Sequence, residues 1–354
     1  MSTFKVEVVP AKLKKHPNAD TLSVAEVKGW QCVVRTQDFE DVKLGAYIPL
    51  DSIVPDTPEF AFLSKYRKVK TIKLRGQLSQ GVLIPAKPHW KLGDDVTQEL
   101  GITKWEPIEP IVLRGENIAE PGAFHHYTNI ENIKNYPNVF QEGEQVVVTE
   151  KIHGTNVRFG LIDGKFYVGS HRCTKRGPGQ LSFFERMKKG CKRFLFKDYK
   201  ERKEDLTIYW KAALKYDIES KLRDLAVTYE DAPNIILFGE IFGRVQDLRY
   251  GLENSFDLRV FDVSLNEKYL DYHSFRVCLE SMNVSSLVVP IVAIGSYGSE
   301  MLSLADGPAF QGEHIREGVV IKSLREQTHP SIGRKILKVI SDDYLLRKHG
   351  TENH

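Results

Sequence analysis

The residues with the clearest chemical potential lie in Thr149-Glu-Lys-Ile-His-Gly-Thr-Asn156. An apolar run, Gln145-Val-Val-Val-Thr149, leads into Lys151, and a polar loop with Gly154 follows. This arrangement suits covalent catalysis by an amine. A free lysine titrates near about 10.4 and is a poor nucleophile at neutral pH. Desolvation at a strand end and neighbouring cations favour its neutral form. Gly154 would let a ligand approach the backbone closely. An ordinary surface lysine ending a strand would read the same way on this segment alone.

Further chemistry-bearing residues follow at intervals. They lie in Gly169-Ser-His-Arg172, Phe238-Gly-Glu-Ile-Phe-Gly243, Phe256-Asp-Leu-Arg-Val-Phe-Asp262, Arg316-Glu-Gly-Val-Val-Ile-Lys322 and Arg334-Lys-Ile-Leu-Lys-Val-Ile340. Taken singly, Glu240 and Glu317 read as solvent-facing strand residues and Phe261 as a core residue. Taken in order, the segments resemble the motifs of the covalent nucleotidyltransferases: RNA ligases, DNA ligases and capping enzymes. His153, where DNA ligases and capping enzymes usually carry Asp, is similar to the RNA-ligase form. Tyr127-Thr-Asn-Ile-Glu-Asn132 resembles the short element that RNA ligases carry ahead of the lysine motif.

The resemblance implies that Lys151 accepts AMP from ATP. It implies nucleotide contacts from Glu150, Ile152, Asn156, Arg172, Glu240, Phe261, Glu317, Lys335 and Lys338, with Phe261 stacking on the purine. Mg²⁺ or Mn²⁺ would be held by Glu240 and Glu317 through water, since Mg²⁺ keeps most of its waters; Glu240 could instead bind the ribose. In the last motif, Lys335 and Lys338 are three apart, so a regular strand points them to opposite faces. Lys338, between Leu337 and Val339, is the preferred α-phosphate ligand. Lys322, an odd number of residues from Glu317, is not assigned to the site.

The elements that must position these residues fall into two groups. Residues 1–100 contain short alternating runs broken by turn residues, the pattern of a small β-barrel. His16-Pro-Asn-Ala-Asp20 and Leu74-Arg-Gly-Gln-Leu-Ser-Gln-Gly-Val82 are similar to two segments of tRNA-binding OB domains. Prolines break residues 101–125, which read as a linker. Residues 126–354 read as an α+β domain of antiparallel sheets with helices. The expected fold is therefore an N-terminal OB-fold barrel followed by a nucleotidyltransferase domain.

Bulk properties fit this plan. The chain has 354 residues, 41% hydrophobic, with a net charge of +3 that names no partner. A basic cluster at 186–203, including Lys188, Lys189, Lys192 and Arg193, is either a solvated helix face or a phosphate-facing surface for nucleic acid. Four scattered cysteines form no CxxC pair, which favours a reducing compartment, cytoplasmic or nuclear. No secretion signal or membrane span is expected, and no obligatory protein partner is evident. The expected activity is ATP-dependent joining of 3′-hydroxyl and 5′-phosphate RNA ends at nicks, as in RNA repair. The rivals are a DNA ligase, a capping guanylyltransferase and a non-catalytic RNA-binding module.

Overall fold

The computed structural model describes residues 4–105, 117–178 and 206–347. The chain divides into two compact units, one built mainly from the first hundred residues and one from 117–131 and 139–344.

In the first unit, alternation in Leu22–Val27 and Trp30–Arg35 builds a hairpin that Lys12–Lys15 extends. Glu7–Pro10, Leu44–Ile48 and Val82–Pro85 form a second antiparallel sheet. Inward side chains make two clusters, one around Val8, Ile48 and Trp90, the other around Ala25, Cys32 and Tyr47. A two-residue turn, Arg75-Gly76, joins Thr71–Leu74 to Gln77–Gln80. Both turn residues have positive φ, 48° and 90°, which suits a hairpin of this twist.

The two segments that carry the OB resemblance dock on each other. Buried His16 accepts the Asn18 N–H at Nδ1 (3.0 Å), and its Nε2 lies 3.2 Å from the Leu74 carbonyl. The Asn18 amide donates to the Arg75 carbonyl at 2.9 Å. They hold turns together, which is a structural role. The barrel also extends into the expected linker: Thr103–Lys104 pairs with Ser52–Ile53. It takes in residues 132–138 as well, where the Gly29 N–H donates to the Lys134 carbonyl (3.1 Å) and the Trp30 indole to Asn135 (2.7 Å).

Among the described residues, the second unit is built mainly on two antiparallel sheets. The larger has seven strands, in the order Asn117–Ile118, Thr174–Lys175, Lys165–Ser170, Thr155–Ile162, Asn234–Gly243, Phe256–Leu265 and Lys268–Tyr269. The other sets Ile336–Ile340, Gly318–Ser323, Gln145–Glu150 and Ile291–Ser296 side by side. One face of the larger sheet, with Val157, Phe159, Leu237 and Val260, packs under helices Ile208–Lys215, Ile218–Thr228 and Tyr272–Ser281. On its other face Phe238 packs with Phe124 and Tyr127, from the segment before the lysine strand, and with Ile336 and Val320 of the second sheet. Residues 117–125, expected in the linker, belong here: Asn117–Ile118 pairs with Thr174–Lys175, and Phe124 is buried.

Among the described residues, no helix is long and apolar enough to cross a membrane.

Candidate active site

Lys151 follows the last residue of a central strand, and its N–H donates to the Gly318 carbonyl at 2.9 Å. Gly318 can only be glycine, because a Cβ there would lie 2.1 Å from the Val339 carbonyl oxygen. This close approach places Glu317, just before Gly318, beside Lys151. The ammonium donates to one Glu317 oxygen, and the other lies 3.2 Å from His153 Nδ1. Burial alone would raise the Glu317 carboxyl, but Lys151 and His153 overcome it and bring it down to about 2.

His153 is held from every side. Its Nε2 lies 2.6 Å from Asp247, and the Tyr344 hydroxyl is 3.0 Å from Nδ1. Its backbone N–H donates to the Tyr250 hydroxyl at 2.8 Å. Asp247, Tyr250 and Tyr344 were not expected from the sequence. Asp247 lies in a loop without periodicity and Tyr344 follows the last expected motif, so only the fold reveals them.

The larger sheet supplies the opposite wall. Asn156, Glu240 and Arg259 are directly in register on three adjacent strands and share a face. Gly154 lets these strands close up, since a Cβ there would meet the Ile241 carbonyl oxygen at 2.2 Å and Glu240 Cγ at 3.0 Å. Burial, with Glu317 nearby, raises the Glu240 carboxyl to about 8 against the pull of Lys151 and the Gly154 N–H.

Phe261 is the extra residue of a β-bulge: Phe238 pairs with Asp262 while Gly239 pairs with Val260. The bulge leaves two successive residues, Phe261 and Asp262, on the face away from the helix-covered core, and Phe261 meets Tyr127 with ring centroids 4.8 Å apart. Behind them lies buried Asp262, which accepts from Tyr127 (2.7 Å), Lys322 (2.9 Å) and Arg334 (2.7 Å). Lys322, left out of the site on sequence grounds, is thus committed to Asp262.

The remaining expected residues divide. Ile152 is buried beside Lys151. Arg172 is exposed in the turn after Ser170, at the sheet end where Ser170 pairs with Val157. Lys338 is opposite Val320, itself opposite Thr149, so the three share one face. Lys335 is not brought to this group: it precedes the strand and pairs with Glu144 at 2.6 Å, near the start of the lysine strand rather than its end. Lys188, Lys189, Lys192 and Arg193 lie outside the described residues.

The donor set fits a nucleotide and a hydrated ion. Among the described residues, the buried Asn156 Oδ1 and Glu150 Oε1 have no hydrogen-bond donor. Both could accept from hydroxyl or amino groups that a ligand brings. Glu150 Oε2 accepts the Phe310 N–H at 2.9 Å; burial lifts this carboxyl to about 7, opposed by Arg316 and that N–H. No group of three or more acidic, His or Cys residues converges as a metal cage among the described residues. Two neighbouring carboxylates, Glu240 and Glu317, suit an ion that keeps most of its waters.

Comparison with known proteins agrees with this fold. Residues 144–340 match the RNA ligase family, and residues 5–86 match an OB-fold domain. Among curated proteins, none matches the chain by sequence. A variant of the Naegleria gruberi RNA ligase with ATP and Mn superposes with a TM-score of 0.75 at 25% identity, covering 97% of this chain and 98% of that one. The same ligase with PPi gives 0.74 at 26% identity, covering 96% and 97%. A further variant with AMP and Mn gives 0.75 at 25%, covering 96% and 97%.

Proposed function

Since the chain belongs to the RNA ligase family, we propose that it joins 3′-hydroxyl and 5′-phosphate ends using ATP, through AMP carried on Lys151. The observation that carries this reading is the Lys151–Glu317 contact at the strand end, opposite the wall of Asn156 and Glu240. Lys151 must lose its proton to solvent before it attacks; Glu317, held down to about 2, orients the amine, and a divalent ion beside it would favour the neutral form. The Lys151 nitrogen then forms a bond to the α-phosphorus of ATP as the bond to pyrophosphate breaks. AMP next passes to the 5′-phosphate of the break. A 3′-hydroxyl attacks that phosphate and releases AMP.

Lys338 is the cation assigned to the α-phosphate, and Phe261 stacks on the purine. Asn156 Oδ1 and Glu150 Oε1 take donors from the nucleotide. Glu240 and Glu317 would hold Mg²⁺ or Mn²⁺, and the ion would neutralise phosphate charge that opposes attack. Intact-mass analysis after mixing with ATP and a divalent cation should show one added AMP. Lys151→Met should show none; an adduct on that variant rejects the assignment.

The substrate we propose is a nick with RNA on the 3′-hydroxyl side. His153 follows the RNA-ligase form of the lysine motif, and the barrel matches an OB-fold domain. Phosphate contacts position a strand without specifying its sugar. Discrimination must come from the 2′-hydroxyl or A-form shape, felt most at the terminal sugar that aims the attacking oxygen. Nicked duplexes with ribose or deoxyribose on either side provide the test. Equal sealing with an all-DNA 3′ strand would refute the RNA requirement and favour a DNA ligase.

A further inference from the structure

From residue 60 to residue 93 the chain has no Asp or Glu, yet it carries Lys65, Arg67, Lys70, Lys73 and Arg75. All five are exposed. Two large aromatic side chains stand out in the same stretch: Phe62 is 61% exposed and Tyr66 68%. Their exposure contrasts with Phe60, two residues earlier, which is 2% exposed and sits in the barrel core.

Consecutive turns hold the two rings on the surface. The Ser64 N–H donates to Ala61, and the Tyr66 N–H to Leu63. Lys65 Nζ lies 5.3 Å from the Tyr66 ring centroid. Anchoring then resumes, because the Val69 N–H donates to the Ser52 carbonyl at 2.8 Å and Val69 is buried. A single exposed ring needs no explanation. Two rings within five residues, among cations that outnumber the one acid close by in sequence, Glu59, match what an unpaired nucleic-acid strand requires: π-faces for bases and positive charge for phosphates.

We propose that Phe62 and Tyr66, with Lys65, Arg67 and Lys70, form a stacking platform for single-stranded RNA on the barrel. The proposal rests on the reading of the chain as an RNA-joining enzyme and extends it to a second recognition surface. The charge of the segment selects a polyanion over an apolar protein partner.

The test uses the full chain and a labelled single-stranded RNA of about 12 nucleotides, within the site sizes of OB folds. Replacing either ring by alanine should weaken binding about 5- to 150-fold, the equivalent of about 1–3 kcal/mol for one stacked base. Phe62→Trp and Tyr66→Trp should retain affinity, since any aromatic face stacks. Lys65→Ala, Arg67→Ala and Lys70→Ala should each lower the slope of log affinity against log salt by about 0.7. The ring variants should keep self-adenylylation at the parent rate, because they lie outside the nucleotide site. A 4-thiouridine probe should crosslink within residues 62–70. Unchanged RNA affinity in the double alanine variant overturns the proposal, even if the surface is then found to hold a protein. Failure of the parent chain to form an AMP adduct would instead count against the ligase reading.

Discussion

Replacing Asp262 by Asn should destabilise the second unit strongly. Asp262 is fully buried and faces two cations, Lys322 and Arg334, that are themselves less than a tenth exposed. Arg334 keeps Glu326 at 2.5 and 2.7 Å, so it is not stranded. Lys322 is left with the Phe261 carbonyl at 3.4 Å and the Phe275 ring, whose centroid is 5.4 Å away. Removing one partner of a buried pair costs about 3–5 kcal/mol. The surviving Arg334–Glu326 pair places this case near about 3. For a unit of this size, each kcal/mol moves the melting temperature by roughly 2–4 °C, so a drop of roughly 6–12 °C is expected.

The pH dependence has a definite sign. Burial raises the Asp262 carboxyl, but Arg334 and Lys322 overcome it and hold it below its ordinary 3.8. Its contribution is therefore present above 3.8 and is lost as pH falls through the lower folded value. The gap between parent and Asp262→Asn should be full at neutrality and shrink in acid. Thermal unfolding followed by near-UV circular dichroism reads both effects. Adding Lys322→Met to Asp262→Asn should restore part of the loss. A single variant melting within about 2 °C of the parent at neutral pH would refute the buried-pair reasoning.

Other outcomes follow from the site. Glu240→Ala, Glu317→Ala and Lys338→Ala should each slow nick sealing by about 10²–10³-fold, the usual loss for one charge-stabilising group, whereas Lys335→Ala should change sealing little. Quantitative gel assays of sealing separate the two lysines. Gly154→Ala should cut AMP-adduct formation by about 10²-fold, because the added methyl forces the lysine loop away from Ile241 and Glu240; rapid-quench adenylylation measures it. Glu150→Gln should raise the melting temperature more at pH 8 than at pH 5. The wild-type carboxyl, raised to about 7, is buried as an anion only on the alkaline side. Equal gains at both pH values would contradict that account.

Much of the site was legible in the sequence because its chemistry is local. Lys151, Gly154 and Asn156 lie within six residues, and strand alternation alone puts Lys335 and Lys338 on opposite faces. What was not legible depends on approaches between distant segments. Asp247 and Tyr344 reach His153 from 94 and 191 residues away. Nothing in the spacing of either announces that meeting. The domain plan was also blurred where chain order and packing part company: residues 132–138 follow the second unit's first strand yet pack with the barrel. The two OB-like turn segments were visible, but only their contacts reveal that each completes the other.

The bulge at Phe261 makes the strand Phe256–Leu265 change phase partway along. Leu258 and Val260 point into the helix-covered core, and so do Val263 and Leu265, so the inward set slips from even to odd numbers. A saturation scan should therefore show intolerance with a two-residue rhythm that breaks once, at Phe261. Deleting that single residue would not shorten a loop. It would leave Val260 opposite Gly239 and Asp262 opposite Phe238, so the strand would become regular, every remaining side chain would keep its face, and only the ring beside Tyr127 would be lost.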